Sequence, residues 1–285
     1  MCTSFRMDDL FGRTLDLEYD LGAYPVFTPH NNGGLLGMAL ESNGRALYFD
    51  AVNTFGLAGA GLDFTGYACY RPKINGKINL PSYELLPYVL KRCKRVSDAK
   101  ELLLNINLTD EDVSPELKAT PLHFSFADKT ASIVAEQTKH GMKVYSNPTD
   151  VLTNSPELPY HLLNLSNYAH LSASPQPNLF SKELDLTPYC RGMGAMGLPG
   201  DNSSPSRFVR GVFNLKNADV PKDESQRLQQ FFHICDSVSQ IKGTNRLDNG
   251  KQVYTVYAVC YALTRPCCYL TIYYDRSIQS FPMKI

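Results

Sequence analysis

Met1-Cys2-Thr3-Ser4-Phe5-Arg6-Met7-Asp8-Asp9, followed by Leu10-Phe11-Gly12-Arg13-Thr14-Leu15-Asp16, is the stretch on which the reading of this chain turns. A small residue in second place permits removal of Met1, which leaves Cys2 with a thiol and a free α-amine. An unperturbed α-amine has a pKa of about 7.7–8.0 and an unperturbed thiol one of about 8.5, so one residue can supply both nucleophile and general base. Charges arrive at Arg6, Asp8 and Asp9, and no apolar run follows them closely enough to make a secretory signal. From Leu10 to Tyr19 the chain is apolar-rich and ends on turn residues, the pattern of a strand.

Working outward, Tyr24 to His30, Leu35 to Ser42, Ala46 to Asn53 and Leu57 to Phe64 repeat that pattern between Gly, Asn and Pro breaks, which predicts an antiparallel meander. Tyr83, Leu85, Leu86, Val89 and Leu90 then fall on one helical face, and Lys91-Arg92-Cys93-Lys94-Arg95 places cations where that helix ends. A second helix starts after Ser97, read as its N-cap, and carries Leu102, Leu103 and Leu104. Strands resume at Leu122 to Ala127, Ala131 to Gln137 and Met142 to Tyr145. Helical spacing returns at Leu162, Leu163 and Tyr168, and again at Leu228, Phe231, Phe232, Cys235 and Val238. Val253 to Leu263 and Cys268 to Tyr274 read as closing strands. Blocks of strands and helices, rather than alternating βαβ units, predict an α+β layered fold. The Pro-, Gly- and Ser-rich tract Ser172 to Ser206 reads as an excursion from a single domain spanning 1–285.

The 285 residues carry 28 Lys plus Arg against 28 Asp plus Glu, so no overall field recruits nucleic acid or an anionic membrane. Val253 to Leu263 is too short to cross a bilayer as a helix. The eight cysteines (2, 69, 93, 190, 235, 260, 267 and 268) show no CxxC pair and no Cys/His ligand spacing, so reduced cytoplasmic thiols and no metal are expected. Gly192-Met-Gly194-Ala-Met-Gly197 has the glycines of a dinucleotide loop but is followed by Leu198-Pro199-Gly200, which stops a helix, so no such cofactor is expected. Cys267-Cys268 reads as strand packing, and His123 and His233 as core histidines.

Five separated segments then resemble the choloylglycine hydrolases, the bile salt hydrolases and penicillin V acylases of the N-terminal nucleophile superfamily. They are Met1-Cys2-Thr3, Phe11-Gly12-Arg13-Thr14-Leu15-Asp16, Asn53 to Gly56 with Ala60-Gly61-Leu62, Val151-Leu152-Thr153-Asn154-Ser155-Pro156, and Gly197-Leu198-Pro199-Gly200-Asp201-Asn202-Ser203-Ser204-Pro205-Ser206-Arg207-Phe208. The resemblance implies a four-layer αββα sandwich of two antiparallel sheets between helix layers. It implies catalytic roles for Cys2, Arg13, Asp16, Asp63, Asn154 and Arg207. Arg13 would favour the thiolate, Asp16 would hold the α-amine, Asn154 would donate to the oxyanion, and Arg207 would complete the charge network. Asp63 stands where the bile salt hydrolases have Asn and penicillin V acylases commonly Tyr, so its backbone N–H is the plausible donor, while its carboxylate would oppose an oxyanion.

The resemblance also implies an apolar wall of Leu15, Val113, Leu117 and Leu122 against a steroid. It implies cleavage of glycine- or taurine-conjugated bile acids through a thioester, with penicillin V acylase or a weakly catalytic bile-acid binder as alternatives. A homotetramer assembled through the Ser172 to Ser206 excursion is implied as well.

Overall fold

The computed structural model describes residues 1–31, 33–42, 44–115 and 117–284. The chain opens with strands β1 (Cys2–Met7), β2 (Leu10–Leu17), β3 (Tyr24–His30), β4 (Gly33–Ser42), β5 (Arg45–Asn53) and β6 (Ala58–Asp63). A short β7 (Ile78–Pro81) leads into helices α1 (Ser82–Arg92) and α2 (Val96–Leu103), and β8 (Ile106–Thr109) then pairs with β7 in parallel. Next come β9 (Leu122–Ala127), β10 (Ser132–Thr138), β11 (Gly141–Ser146) and β12 (Val151–Leu152), then α3 (Leu158–Asn164), α4 (Ser204–Asn217) and α5 (Glu224–Asp236). Strands β13 (Tyr254–Ala262), β14 (Cys267–Ile272) and β15 (Asp275–Pro282) complete the order.

Among the described residues these strands build two large sheets, in the orders β12-β1-β2-β13-β14-β15 and β11-β10-β9-β6-β5-β4-β3, with every neighbouring pair antiparallel. Helices cover both outer faces. Leu85, Leu86 and Val89 of α1 pack with Phe124 and Phe126 of β9. On the other side the Phe5 ring of β1 meets Phe231 of α5 edge-on, with ring centroids 6.4 Å apart. Between the sheets lie Cys2, Leu15, Met38, Val52, Ala60 and Leu62, all buried. The layers are thus helix, sheet, sheet, helix. Gly12 is needed where β2 runs closest to β13, because a Cβ there would stand 1.9 Å from the Val259 carbonyl oxygen.

The meander β2 to β6 and the strands β9, β10, β11, β13 and β14 lie where the sequence pattern puts them, within a few residues at each end. Strand β1 and helix α4 carry no such signal, and both bear on the site. Thr3, Phe5 and Met7 face the helix layer while Cys2 and Ser4 face the opposite sheet, so both faces of β1 are buried and apolar–polar alternation disappears. Helix α4 begins inside the Pro- and Ser-rich tract, capped by Ser203, whose side chain accepts from the Ser206 N–H.

Two local expectations are corrected. Ser97 is not the cap of α2, because Arg95 takes that position and Asp98 accepts its N–H at 3.1 Å, so an acid three residues in does the capping. His233 is exposed on α5 rather than buried. His123 is in the core with both ring nitrogens engaged, by Glu136 and the Thr153 carbonyl. The glycine run 192–197 forms a short 3-10 turn, Met193–Ala195, with no strand before it and no α-helix until Ser204, which excludes a dinucleotide loop.

Candidate active site

Strand alternation sorts the candidate residues of β1 and β2 onto two faces. Cys2 pairs with Leu15, and both point between the sheets, as does Arg13 two residues before Leu15. Thr3, Thr14 and Asp16 point the other way, toward the α4 and α5 layer. Three residues apart on a strand, Arg13 and Asp16 therefore cannot form a simple surface ion pair, and each finds partners on its own side of the sheet.

On the inner side the Arg13 guanidinium has no solvent exposure. It donates to the Thr14 carbonyl at 3.1 Å and the Gly61 carbonyl at 2.6 Å, and lies 3.9 Å from the Asp50 carboxylate. Asp50 accepts from the hydroxyls of Tyr257 and Tyr261 on the facing sheet. Burial disfavours the Arg13 cation, yet the field of Cys2, Tyr257, Asp50 and Asp16 outweighs it and leaves the pKa above its usual value. Burial also raises the pKa of Asp50, against the pull of Arg13 and the two tyrosine hydroxyls. Sequence reasoning missed Asp50. A lone acid in an apolar strand, with Tyr257 and Tyr261 four apart on another, was the available signal.

On the helix side Arg207 projects from the first turns of α4 and is likewise fully buried. It donates to the Cys2 carbonyl at 2.8 Å, Thr3 Oγ1 at 2.6 Å, Asn154 Oδ1 at 2.7 Å and the Asn202 carbonyl at 3.0 Å. Asp16 lies 4.0 Å from it and accepts from Thr255 Oγ1 at 2.7 Å and Gln240 Nε2 at 2.9 Å. Met1 continues the β1–β2 ladder: its amine donates to the Asp16 carbonyl at 2.7 Å, and the Asp16 N–H returns to the Met1 carbonyl at 2.9 Å.

Asn154 sits just beyond β12 and joins the two sheets. Its Oδ1 receives both the Cys2 N–H, at 2.8 Å, and Arg207, which fixes the orientation of the amide. Its Nδ2 donates to the Asp63 carbonyl at 2.8 Å, leaving one further amide hydrogen. Behind it, Ser204 Oγ accepts the Asn154 N–H and His161 Nε2 binds the Asn154 carbonyl at 2.9 Å, while the imidazole stacks on Phe208. Asp63 lies opposite Leu122, on the α1 side of its sheet with Gly59 and Gly61, and its carboxylate accepts from Thr65 Oγ1 at 2.5 Å. The Phe64 N–H pairs with the Pro121 carbonyl, so the Asp63 N–H turns to the opposite side of the strand, away from β9.

The residues expected to form an apolar wall are dispersed. Leu15 packs beside Cys2, whereas Leu122 faces outward against the α1 layer. Val113 and Leu117 are hydrogen-bonded to each other at 3.0 Å in the loop before β9, and Val113 lines a cavity of about 280 Å³ with Ser42, Arg45, Leu47 and Tyr83. Among the described residues no group of three His, Cys, Asp or Glu is arranged to hold a metal ion.

With this geometry in place, the family described as linear amide C–N hydrolases, choloylglycine hydrolase family, matches residues 2–284. The chain belongs to the choloylglycine hydrolase family. This choloylglycine hydrolase is 38% identical over 296 residues to the bile salt hydrolase/transferase of Lactiplantibacillus plantarum, with 98% of this chain and 91% of the relative covered. It is 35% identical over 303 residues to the conjugated bile acid hydrolase of Lactobacillus acidophilus, covering 99% and 96% of the two chains. A crystal structure of a variant conjugated bile acid hydrolase from Clostridium perfringens superposes with a TM-score of 0.91 at 33% identity, covering 99% of this chain and 92% of that one. Penicillin V acylase from Agrobacterium tumefaciens shares the fold, with a TM-score of 0.74 at 18% identity and coverage of 99% and 86%. The αββα sandwich is therefore that of an amide hydrolase.

His161 supplies a pH test of the support behind Asn154. Burial holds its pKa down at about 4, from the ordinary 6.5, and the nearby His123 and Arg207 push it the same way. Between those values the unfolded chain binds the extra proton, so stability from this group is complete above pH 6.5 and falls as pH drops toward 4, by about 3 kcal/mol in all. Urea denaturation across this range should show a shallower loss in His161→Gln than in the parent. Parallel curves would mean that His161 titrates normally.

Proposed function

We propose that this protein is a cytoplasmic bile salt hydrolase that cleaves the amide bond of glycine- or taurine-conjugated bile acids, residues 1–285 acting as one domain. The observation that carries the reading is the convergence of Arg13, Arg207 and Asn154 on Cys2 from both faces of β1 and β2. The names of the relatives at 33–38% identity supply the substrate class.

Excision of Met1 converts the Cys2 nitrogen, now an amide held by Asn154 Oδ1, into the amine that serves as base. Cys2 Sγ attacks the substrate carbonyl as the amine takes the thiol proton. The tetrahedral oxyanion receives the remaining Asn154 amide hydrogen and the Asp63 backbone N–H. Collapse breaks the C–N bond, the amine hands its proton to the departing glycine or taurine, and a thioester remains. Water, deprotonated by the same amine, releases the free bile acid. Arg13 favours the thiolate, and Asp16 and Arg207 hold the amine end of β1 in register. Of the four apolar candidates Leu15, packed beside Cys2, is the one placed to meet the acyl group, since Leu122 faces the α1 layer and Val113 and Leu117 lie in the loop before β9. No cofactor takes part.

Intact-mass measurement should show the loss of one methionine, and Cys2→Ala should abolish glycine release from glycocholate while the circular dichroism spectrum is retained. Full activity in a chain that keeps Met1 would overturn the mechanism. Faster turnover of penicillin V than of glycocholate and taurocholate would overturn the substrate assignment.

Because the Asp63 side chain faces Thr65 on the α1 side, its contribution is the backbone. Asp63→Asn should change kcat on glycocholate by less than about threefold, far below the 10²–10³ expected of a lost oxyanion donor. A large gain in kcat would mean that the carboxylate reaches the reacting carbonyl.

The excursion 172–206 exposes Leu179, Phe180 and Tyr189 by more than four-fifths of their surface. Apolar side chains on a protruding segment fit self-association, and we propose a homotetramer. Light scattering should report four chains per particle, and fewer after deletion of 175–190.

A further inference from the structure

The end of the sandwich opposite Cys2 carries a second concave site. Leu263 in the β13–β14 turn donates to the Asp9 carbonyl in the β1–β2 turn, which places both turns at that end. Cys2 lies at the far end of β1, about 17 Å away at the rise of a strand. The turns β5–β6, β9–β10 and β13–β14, with the α1–α2 connection, enclose a cavity of about 810 Å³.

In a chain with equal numbers of acidic and basic residues, this cavity is lined by Lys94, Arg95, Lys100 and Lys129 against a single carboxylate, Asp128. Among the described residues none of the four cations forms an ion pair. The Asp128 oxygens are taken up inside the fold, by the Val96 N–H at 2.8 Å, by the N–H and hydroxyl of Thr130 and by the Ala131 N–H. Other acids of this end are engaged elsewhere: Asp8 and Asp9 with Arg227, and Asp150 with Arg6 and Lys216. Asp98, beside Arg95, does not line the cavity and accepts the Lys94 and Arg95 N–H groups. Lys94 is also oriented, its ammonium 4.6 Å from the centre of the half-exposed Phe55 ring.

Each exposed cation alone is worth little, but several converging in one concavity focus the field on a ligand of opposite and multiple charge. We infer that this cavity binds a compact polyphosphate, of the kind carried by a nucleoside triphosphate or by inorganic tripolyphosphate, at a site separate from Cys2. Its volume is in the range of small-molecule sites.

The test is calorimetric titration of the full-length protein with sodium tripolyphosphate and, separately, with ATP at low ionic strength. Saturable one-to-one binding is expected, weakening as salt is raised. The double variant Lys94→Gln, Lys129→Gln should bind at least about tenfold more weakly, a loss of about 1.4 kcal/mol, while its turnover of glycocholate matches that of the parent and certifies the fold. Equal affinity for both probes identifies the phosphate chain as the recognised group, and tighter ATP binding identifies a nucleotide. No saturable binding of either probe, or affinity unchanged in the double variant, overturns the inference.

Discussion

A guanidinium with no access to water must find its hydrogen-bond acceptors inside the protein, and Arg207 imposes that condition on everything around Cys2. Its acceptors come from the first strand, from Asn154 two residues beyond β12 and from the loop that starts its own helix. Placing any of these segments wrongly leaves a buried charge short of partners, at a cost of several kcal/mol. The start of β1, the Asn154 segment and the N-terminus of α4 are therefore positioned together. The same contact aims the Asn154 amide, because an oxygen that receives Arg207 and the Cys2 N–H leaves the nitrogen to face Asp63.

Arg13 repeats the arrangement on the other face of the hairpin. Its charge is matched by Asp50, and Asp50 is held by two tyrosine hydroxyls from β13, so this ion pair also bridges the sheets. Cys2 lies between two buried cations whose partners lie on opposite sides of one sheet. That geometry raises the local positive potential without a surface charge that salt could screen. The whole chain stays neutral, and four cations that form no ion pair among the described residues, Lys94, Arg95, Lys100 and Lys129, line the cavity at the opposite end, around the α1–α2 connection.

Much of the candidate site was legible in residue types, because Cys2, Arg13, Asp16, Asn154 and Arg207 stand in short segments that the fold brings together. Their supporting residues were not. Asp50, His161, Ser204, Gln240 and Thr255 are ordinary polar residues in sequence and acquire meaning only through partners 7 to 239 positions away. Asp63 marks the boundary: the sequence located the residue, but only pairing with Leu122 turned its side chain toward Thr65 and its N–H away from β9.

The sequence by itself determined the meander of strands, the amphipathic helices and the terminal cysteine, since each is encoded by spacing within a dozen residues. It also determined the absence of a net field, a sum over composition. Only the tertiary structure decided which face of β2 carries Arg13 and which carries Asp16, where β1 and α4 run, and that Leu15 and Leu122 belong to different layers. Those outcomes depend on strand register across separations of up to some 250 residues, and a shift of one residue exchanges the faces of a strand without altering its composition.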